Sequence, residues 1–299
     1  DLPLRYNETS TLFRNESSGE MHGLIRVRQF TISEGHLACT PEQLEEEFAG
    51  CLALANYMLD TLGLLEDVKF RFSKWDPNNR EKYIGDADEW EAVQDTMRKI
   101  LNSLQINYIE EEGEAAFYGP KLDIQIKNVF GKEDTLITIQ IDFQLAERFG
   151  MVYTDSDGQQ KHPYVLHRTS IGCYERTLAL LIEKYAGKFP LWLSPLQVGI
   201  VPVHEEHGAY ADQLAAQLQA AGLRAKVDHS NGTMGNKVKS FRQKLTPYIA
   251  IVGEQERETG TVSLRVRTGT QLNGVATEAF VAGCQAQLRT HAKALQERF

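Results

Sequence analysis

The segment from Phe189 to Pro195 limits what this chain can fold into more than any other feature of its sequence. Two prolines, Pro190 and Pro195, stop both a helix and a central strand there, and the hydrophobic pattern differs on the two sides. At roughly 150 residues per domain, a chain of 299 residues also suggests two domains. We therefore predict one domain over residues 1–194 and a second over residues 195–299.

Apolar and polar residues alternate before this boundary, which is typical of strands in a sheet with one polar face. The alternation runs over residues 121–129 and again over 136–143, so we predict antiparallel strands whose polar face can carry a site. Helices are predicted over 41–62, 89–104 and 172–185. Together these elements favour an α+β domain built on an antiparallel sheet.

Strand and helix patterns alternate after the boundary, which favours an α/β domain with a largely parallel sheet covered on both faces. The predicted strands lie at 198–203, 224–228, 248–253 and 261–267, and the predicted helices at 205–221, 237–245 and 277–299. This part carries 12 Lys and Arg against 9 Asp and Glu, whereas the whole chain has a formal net charge of −9. The mildly basic part permits a nucleic-acid-binding module without proving one.

The overall composition excludes several classes of protein. With 42% hydrophobic and 24% charged residues, the chain is neither disordered nor fibrous. No run approaches the roughly 18 consecutive apolar residues of a membrane span, and the first residues do not form a signal peptide. Four cysteines without a C-x-x-C spacing make a disulfide scaffold improbable, so we expect a reducing, cytoplasmic location. Because the chain starts without Met, we expect it to be part of a longer one.

Two alternating segments around a short loop bring arginines, a carboxylate and an aromatic ring together. Arg14 and Glu16 precede the loop, and Arg26, Arg28 and Phe30 follow it on one predicted face. Forked guanidinium groups hold phosphate oxygens, a glutamate accepts from an exocyclic amine, and a phenyl ring stacks on a base. The pattern indicates a nucleotide site without a Gly-rich loop, although a hairpin with a charged solvent face explains it about as well.

Arg176 is a further candidate for ligand contact. It stands in the first turn of the helix predicted over 172–185, where the helix dipole disfavours a cation. A ligand contact accounts for that placement better than a structural role does, and a surface arginine remains the alternative.

Taken together, these residues resemble the motifs of the class II aminoacyl-tRNA synthetases. Residues 13–16 with 26–30 are similar to motif 2, and residues 172–176 are similar to motif 3. Three further stretches narrow the resemblance to the threonyl-tRNA synthetases: residues 117–123, 140–143 and 185–193. The motifs are individually moderate and jointly specific, and the resemblance covers essentially the whole chain.

The resemblance implies a class II catalytic domain over residues 1–194 and an anticodon-binding domain over 195–299. The catalytic domain would be incomplete at its N-terminus, because motif 1 precedes the matched part in the family. The implied activity is ATP-dependent activation of threonine to threonyl-adenylate and transfer to tRNA(Thr). The implied partners are ATP, L-threonine and tRNA(Thr), with a homodimer of the full-length protein and no membrane. Whether this part alone is active stays open.

The resemblance also implies roles for residues at the nucleotide end of the site. Arg14 and Arg176 are the implied catalytic residues, with Arg14 on the α-phosphate of ATP and on the carboxylate region of the amino acid. Glu16 reads the adenine amine, Arg26 holds the γ-phosphate, and Phe30 and Arg176 enclose the adenine ring. Mg²⁺ would accompany the triphosphate, with ligands that the sequence does not identify.

At the amino-acid end, Tyr118, Lys121 and Gln140 match positions that line the aminoacyl pocket of the family. Glu34 stands where the family commonly has an aspartate that contacts the substrate hydroxyl. The resemblance therefore implies the same contact for Glu34, whose side chain is longer by one methylene group. Cys173 stands where many members have a serine.

The resemblance further implies a zinc ion, held by His36 and His167. A Zn²⁺ position that takes the amino and hydroxyl groups of threonine would reject valine, which an apolar pocket does not separate well. The family's third ligand is a cysteine that precedes the matched part, so it is absent from this chain. Cys39 is a conceivable substitute, and spacing alone would not identify either histidine as a ligand.

In the C-terminal part, Glu256 and Arg265 are the candidate readers of anticodon bases, and a solvated, charged edge strand is the alternative. Lys237, Lys239 and Lys244 would contact phosphates without reading sequence.

Two other functions stay open at this point. A prolyl-tRNA synthetase would share the architecture, but the two zinc-type histidines speak against it. A non-catalytic, nucleic-acid-binding paralogue would usually lack the ATP-binding arginines. The presence of Arg14, Arg26 and Arg176 therefore favours an enzyme.

Overall fold

A computed structural model describes all 299 residues of the chain. The chain forms two compact units, Asp1–Lys184 and Tyr185–Phe299, each with its own sheet. None of the helices combines the length and the apolar character needed to cross a membrane.

The first unit is built on a sheet of seven strands. The strands of the unit are β1 (Leu4–Phe13), β2 (Gln29–Cys39), β3 (Val68–Ser73), β4 (Tyr108–Glu111), β5 (Lys121–Lys127), β6 (Glu133–Asp142), β7 (Tyr153–Thr154), β8 (Gln160–Lys161) and β9 (Tyr164–Cys173). Of these, β7 and β8 pair with each other in a separate two-stranded ribbon. The order in the large sheet is β1-β2-β9-β6-β5-β3-β4, and every pairing except β3 with β4 is antiparallel. The predicted antiparallel sheet is thus confirmed.

The helices of the first unit are α1 (Leu44–Leu62), α2 (Ala87–Ser103), α3 (Leu145–Arg148) and α4 (Tyr174–Tyr185). Three of the four lie near their predicted bounds, and α3 was not predicted from the sequence. A 3-10 turn that starts at Pro41 leads into α1, and Gly63 ends the helix at a φ of 74°, which glycine adopts at little cost. In α2, the Asp86 carboxylate accepts a hydrogen bond from the amide of Glu89 at 2.9 Å and caps the first turn.

Strand alternation gives the large sheet its two faces. The fully buried side chains of Leu122 and Ile124 on β5 and of Ile139 on β6 belong to the apolar core, and α1 packs against β9. The residues between them, such as Asp123 and Thr138, point to the opposite face. That polar face carries the candidate site.

A mixed sheet of five strands forms the second unit. Its elements are β10 (Val198–Pro202), α5 (Gly208–Ala220), β11 (Ala225–Val227), α6 (Met234–Gln243), β12 (Tyr248–Val252), α7 (Glu254–Thr259), β13 (Thr261–Val266), β14 (Gln271–Ala276) and α8 (Thr277–Arg289). The order is β11-β10-β12-β13-β14, with parallel pairing among the first three strands and antiparallel pairing among the last three. The predicted α/β class is confirmed, but the prediction of a largely parallel sheet was wrong, because two of the four strand pairings are antiparallel. Neither β14 nor α7 was predicted from the sequence.

The last helix is shorter than the sequence pattern indicates. We predicted a helix over 277–299, but α8 ends at Arg289 and the backbone turns at His291 with a φ of 47°. The ring of Phe299 then packs 5.2 Å from Phe280 and 5.7 Å from Tyr248. The prediction was wrong because burying this aromatic ring in the core requires the chain to fold back rather than to continue as a helix.

Candidate active site

Polar residues from four strands form a row across the polar face of the first unit's sheet. Lys121 on β5 lies opposite Gln140 on β6, Gln140 lies opposite His167 on β9, and His167 lies opposite His36 on β2. Because cross-strand neighbours share a face, this register brings together side chains that are up to 131 positions apart in the sequence. Sequence spacing carries no trace of that arrangement.

A second row lies two residues further along these strands. Asp123 on β5 lies opposite Thr138 on β6, and Glu34 on β2 lies opposite Thr169 on β9. The hydroxyl of Thr169 is buried without a hydrogen-bond partner. The two rows form the floor of a polar cleft.

The cleft has a volume of about 370 Å³ and is open to solvent. Ten of the eleven residues predicted for this site from the sequence line it: Arg14, Glu16, Arg26, Phe30, Glu34, Tyr118, Lys121, Gln140, His167 and Arg176. The eleventh, His36, lies beside His167 in the first row. The cleft is large enough for a substrate of several ring systems.

The loop between β1 and β2 forms one end of the cleft. The guanidinium of Arg14 lies over the ring of Phe30, 5.2 Å from its centre, and the ring is buried. The Nε of Arg26 donates to the carboxylate of Glu16 at 3.0 Å. These residues, predicted as nucleotide contacts, thus pair with one another: Arg14 with Phe30, and Arg26 with Glu16.

This loop is longer than predicted. We placed the second strand from about residue 24, whereas β2 starts at Gln29 and residues 14–28 leave the sheet. Arg28 consequently does not share the cleft-facing side of Arg26 and Phe30. Its Nε donates to the backbone carbonyl of Glu16 at 2.9 Å, which braces the loop.

The start of α4 fixes Arg176. Gly172 has a φ of 74°, and a Cβ at this position would lie 1.9 Å from the carbonyl oxygen of Leu136, so only glycine fits. The guanidinium of Arg176 donates from Nε to the carbonyl of Ile25 at 3.0 Å and from Nη1 to the carbonyl of Thr135. The side chain is therefore held as a rigid plane at the wall of the cleft.

Glu175 contributes to the site although sequence reasoning missed it. Its carboxylate accepts from the amide of Thr31 at 3.0 Å, next to Phe30, and from the thiol of Cys173 at 3.2 Å. Burial raises the pKa of Glu175, but the hydrogen bonds it accepts outweigh burial and hold the pKa below its usual value. The acidic residue directly before Arg176 was the available signal.

Tyr118 and Gln140 meet at the other end of the cleft, where the tyrosine hydroxyl donates to the amide oxygen of Gln140. A Cβ on Gly119 would lie 1.8 Å from the carbonyl of Ile141, so glycine permits the close approach that places Tyr118 and Lys121. Burial, followed by the charges of Asp142 and Glu34, raises the pKa of Tyr118 to about 12. The hydroxyl therefore stays protonated and remains a hydrogen-bond donor.

His36 and His167 lie edge to face with ring centres 4.8 Å apart. The Nε2 of His167 is 2.9 Å from the carboxylate of Asp142, a buried residue that also accepts from the amides of the next turn. Burial and the neighbouring His167 lower the pKa of His36. Sequence reasoning missed Asp142, which orients the His167 ring.

The expected zinc ion would need donor side chains that lie close together. The rings of His36 and His167 are neighbours, and the Asp142 carboxylate holds Nε2 of His167, as is common for histidines that bind a metal through their other nitrogen. Cys39 does not complete the set, because it lies three residues from His36 on β2 and so points to the buried, opposite face. Across the 299 residues, no group of three His, Cys, Asp or Glu side chains is placed to hold a metal. The two histidines predicted as zinc ligands therefore lie together without a third donor.

The second unit holds the two predicted base-reading residues. The carboxylate of Glu256 accepts from the amide of Gly253 at 3.0 Å and from the hydroxyl of Ser263 at 2.8 Å, so it caps α7. Arg265 stands on β13, and its Nη1 is buried without a hydrogen-bond partner. Among the predicted phosphate contacts, Lys239 and Lys244 are exposed and Lys237 is half-buried.

Comparisons with known families agree with this division of the chain. Residues 1–185 match the model described as "tRNA synthetase class II core domain (G, H, P, S and T)", and residues 197–287 match that of an anticodon-binding domain. Among curated proteins, the threonine–tRNA ligase of Clostridium botulinum (strain Eklund 17B) is 59% identical over 280 residues, which are 94% of this chain and 44% of the relative. That of Deinococcus radiodurans is 45% identical over 269 residues, 90% of this chain and 41% of the relative. The chain thus spans less than half the length of these relatives.

Solved structures show the same architecture. The RNA-binding domain of threonyl-tRNA synthetase from Cryptosporidium parvum superposes with a TM-score of 0.87 at 29% identity, over 99% of this chain and 72% of that one. A threonyl-tRNA synthetase from Aeropyrum pernix gives 0.79 at 25% identity, over 100% and 72%. A prolyl-tRNA synthetase from Cryptosporidium parvum gives 0.69 at 20% identity, over 97% and 54%, which indicates a shared fold.

Proposed function

Because this chain belongs to the class II tRNA synthetases, we propose that it carries the catalytic and anticodon-binding parts of an ATP-dependent threonine–tRNA ligase. The observation that carries the proposal is the polar cleft. One part of the cleft is lined by the cations and other polar residues that were predicted to bind a nucleotide. The rest is lined by the residues that were predicted to bind an amino acid. The 59% identity to a threonine–tRNA ligase over most of the chain favours threonine as the amino acid.

The proposed first step is attack of the threonine carboxylate on the α-phosphate of ATP. A P–O bond forms to the carboxylate, pyrophosphate leaves, and threonyl-adenylate remains. The attacking carboxylate is already an anion, so the site needs no general base. Its task is to neutralise charge and align the two substrates, which suits a cleft rich in arginines.

We assign the nucleotide contacts to the loop end of the cleft. Arg14 would move from the face of Phe30 to the α-phosphate and leave the ring free to stack on adenine. Glu16 would exchange its partner Arg26 for the adenine amine, and Arg26 would turn to the γ-phosphate. Arg176, already held by two backbone carbonyls, would cover the other face of the base. Mg²⁺ would accompany ATP, with ligands that we do not assign.

We assign the amino-acid contacts to the first row and its neighbours. Lys121, Gln140 and Tyr118 would surround the threonine backbone, since they converge at one end of the cleft. Glu34 would accept from the substrate hydroxyl. A site of this kind rejects valine, because valine has no hydroxyl and the polar groups of the site would be left unpaired when it binds.

His36 and His167 are the two residues that would hold zinc. When bound, the ion supplies a Lewis-acidic position for the amino and hydroxyl groups of threonine. Asp142 fixes the ring of His167 and thereby sets which of its nitrogens is available. Two protein donors fall short of the three or four in ordinary zinc sites, so no step of the reaction is assigned to the metal here.

The second unit would bind the anticodon of tRNA(Thr). Arg265 is the stronger candidate for base reading, because a buried nitrogen without a partner has hydrogen-bonding capacity to offer. Glu256 already uses both carboxylate oxygens within the domain, so base reading would require it to share them. Lys237, Lys239 and Lys244 would contact phosphates.

A prolyl-tRNA synthetase is the alternative within the fold. The paired imidazoles of His36 and His167 and the higher identity to threonine–tRNA ligases favour threonine. Homodimerisation of the full-length protein and a cytoplasmic location remain predictions.

Amino-acid-dependent exchange of pyrophosphate into ATP tests the proposal. The complete protein should exchange with threonine, more weakly with serine, and not with proline or valine. Exchange that depends on proline would overturn the threonine assignment. Exchange with none of the four would overturn the enzymatic one.

A further inference from the structure

Asp123 is a fully buried carboxylate on the floor of the cleft. It stands two residues from Lys121 on β5, so both side chains share the polar face. Four side-chain donors surround it: the Ser73 hydroxyl at 2.7 Å, the Thr138 hydroxyl at 2.9 Å, Nη2 of Arg71 at 3.0 Å and Nζ of Lys121 at 3.2 Å. Three of these groups approach Oδ2 and the Thr138 hydroxyl donates to Oδ1, so both oxygens of the carboxylate are held in position.

The charges around Asp123 do not balance as a simple pair. One buried carboxylate meets two cations, Arg71 from the neighbouring strand and Lys121 from its own. Arg71 is also paired with Glu111 at 2.9 Å and approaches Glu114 at 3.6 Å. Arg71 therefore bridges the cleft floor to carboxylates outside the cleft.

This arrangement leaves N–H donors of Lys121 available to a ligand. If Lys121 were the sole partner of Asp123, the buried carboxylate would hold the ammonium tightly. Arg71 and Ser73 already donate to the Oδ2 atom that Lys121 approaches, so Lys121 is only one of several partners of Asp123. The Lys121 ammonium carries three N–H donors, and the single ion pair with Asp123 at 3.2 Å leaves at least two of them for a ligand.

We propose that Asp123 and Arg71 are positioning residues that hold the ammonium of Lys121 for the carboxylate of the amino-acid substrate. The proposal rests on the function proposed above and adds roles for Asp123 and Arg71 that the resemblance did not assign. Lys121 lies beside Gln140 in the first row, at the end of the cleft away from Phe30 and Arg14. The anion it receives is therefore the amino-acid carboxylate rather than the triphosphate.

The test is Arg71→Met in the complete protein, because Met keeps most of the apolar stem while removing the charge. Asp123 would then be neutralised by Lys121 alone, and the lysine would be drawn from the substrate. We expect the KM for threonine in the exchange assay to rise about tenfold, as for the loss of one charge-assisted hydrogen bond. The KM for ATP should stay within about twofold. Arg71→Lys, which restores a cation beside Asp123, should recover most of the affinity for threonine.

A double-mutant cycle separates positioning from a general structural effect. In a Lys121→Met background, Arg71→Met should change the KM for threonine less than about twofold, because no ammonium remains to be positioned. Asp123→Asn replaces Arg71→Met in the cycle if the methionine variant does not fold, as judged by circular dichroism. Lys69→Met is the matched control. Lys69 precedes Arg71 by two residues on β3 and pairs with Glu133 at 2.8 Å, and its loss should leave both KM values unchanged.

The outcomes distinguish the two proposals. Absence of threonine-dependent exchange in the unmodified protein overturns the proposed function and this inference with it. Active protein in which Arg71→Met leaves the KM for threonine unchanged overturns the inference alone. An effect of Arg71→Met on the KM for threonine that is equally large with and without Lys121 would also overturn the inference. A rise in the KM for ATP in place of that for threonine would reassign Lys121 to the triphosphate and overturn the inference as stated.

Discussion

The two sheets of this protein carry their functional residues in different places. In the first unit, one face of an antiparallel sheet is polar and forms the floor of the cleft, with Lys121, Asp123 and Gln140 standing on it. In the second unit, every residue of β10 and β12 is buried, so neither strand presents a polar face. Its candidate base reader, Arg265, stands on β13, where buried and partly exposed positions alternate.

The difference follows from how each sheet is covered. Parallel strands joined through helices are enclosed on both faces and leave only edges and ends for ligands. An antiparallel sheet needs only one covered face, so the other is free to hold a broad polar site. The first unit therefore offers a polar face that crosses four strands, whereas the candidate base reader of the second unit stands on β13, between β12 and the edge strand β14.

The largest effect should come from Arg14→Ala, which tests whether chemistry depends on the polar face of the first unit. Removing a cation that stabilises the transferred phosphate should lower threonine-dependent exchange by about a hundred- to a thousandfold. The far-ultraviolet circular dichroism should not change, because Arg14 contacts only the ring of Phe30 at the surface of the cleft. Lys132→Ala, in the exposed turn before β6, is the control. Full exchange activity in the Arg14 variant would contradict the assignment.

Gly172→Ala tests whether the close backbone approach before α4 supports that face. A methyl group would lie 1.9 Å from the Leu136 carbonyl at a φ of 74°, so we expect a loss of about 3 kcal/mol in the free energy of unfolding. Gly150→Ala is the matched control in the same unit, because its φ is also positive at 62° but nothing lies within 4 Å. Gly150→Ala should lower the free energy of unfolding, measured in urea, by about 1 kcal/mol. Equal losses would mean that the contact with Leu136 does not matter.

Arg265→Ala tests strand β13 of the second unit. Loss of one bidentate base contact costs about 1–3 kcal/mol, so the apparent Kd for tRNA(Thr) should rise about ten- to a hundredfold. Threonine-dependent exchange, which needs no tRNA, should not change. Filter binding and the exchange assay on one preparation measure both quantities. Normal aminoacylation by this variant would show that Arg265 does not read a base.

The smallest effect concerns the buried tyrosines, one in each unit. Burial raises the pKa of Tyr118 to about 12, and it also raises that of Tyr248. The unfolded chain releases these protons near pH 10 while the folded chain keeps them. The free energy of unfolding therefore falls as pH rises above 10, and below pH 10 the contribution is complete.

Tyr118→Phe should reduce that slope by up to about 1.4 kcal/mol per pH unit, the limit for one proton. Tyr57→Phe is the control, because that ring is 59% exposed and its removal should leave the slope unchanged. Urea unfolding at pH 9 and pH 11 measures the difference. An identical slope in the Tyr118 variant would show that the hydroxyl ionises normally.

Local patterns predicted most elements because they depend on neighbours in the sequence. Thr40, Pro41 and Gly63 bracket the segment that contains α1, and alternation located β5 and β6. The pattern of 277–299 misled for the same reason, since the site that Phe299 fills beside Phe280 is not a local feature.

The candidate site was predicted through its resemblance to a family rather than through spacing. That route recovered the residues to which the resemblance assigns a role, such as Arg14, Gln140 and His167, all of which line the cleft. It missed Asp123 and Glu175, whose importance depends on donors from other strands. The sequence alone does not distinguish a functional carboxylate in an alternating strand from an ordinary exposed one, because its hydrogen-bond donors come from other strands.

By itself, the sequence determined the α+β and α/β classes of the two parts, most helix and strand positions, and the chemical types available for a site. These depend on hydrophobic period, capping residues and turn residues, which act over a few positions. Only the tertiary structure decided the strand register that places Lys121, Gln140, His167 and His36 in one row. It also decided that Cys39 faces away from them and that Arg71 shares Asp123 with Lys121. The physical reason is that long-range pairing is selected by burial of the whole apolar face, and the polar residues opposite are aligned as a consequence.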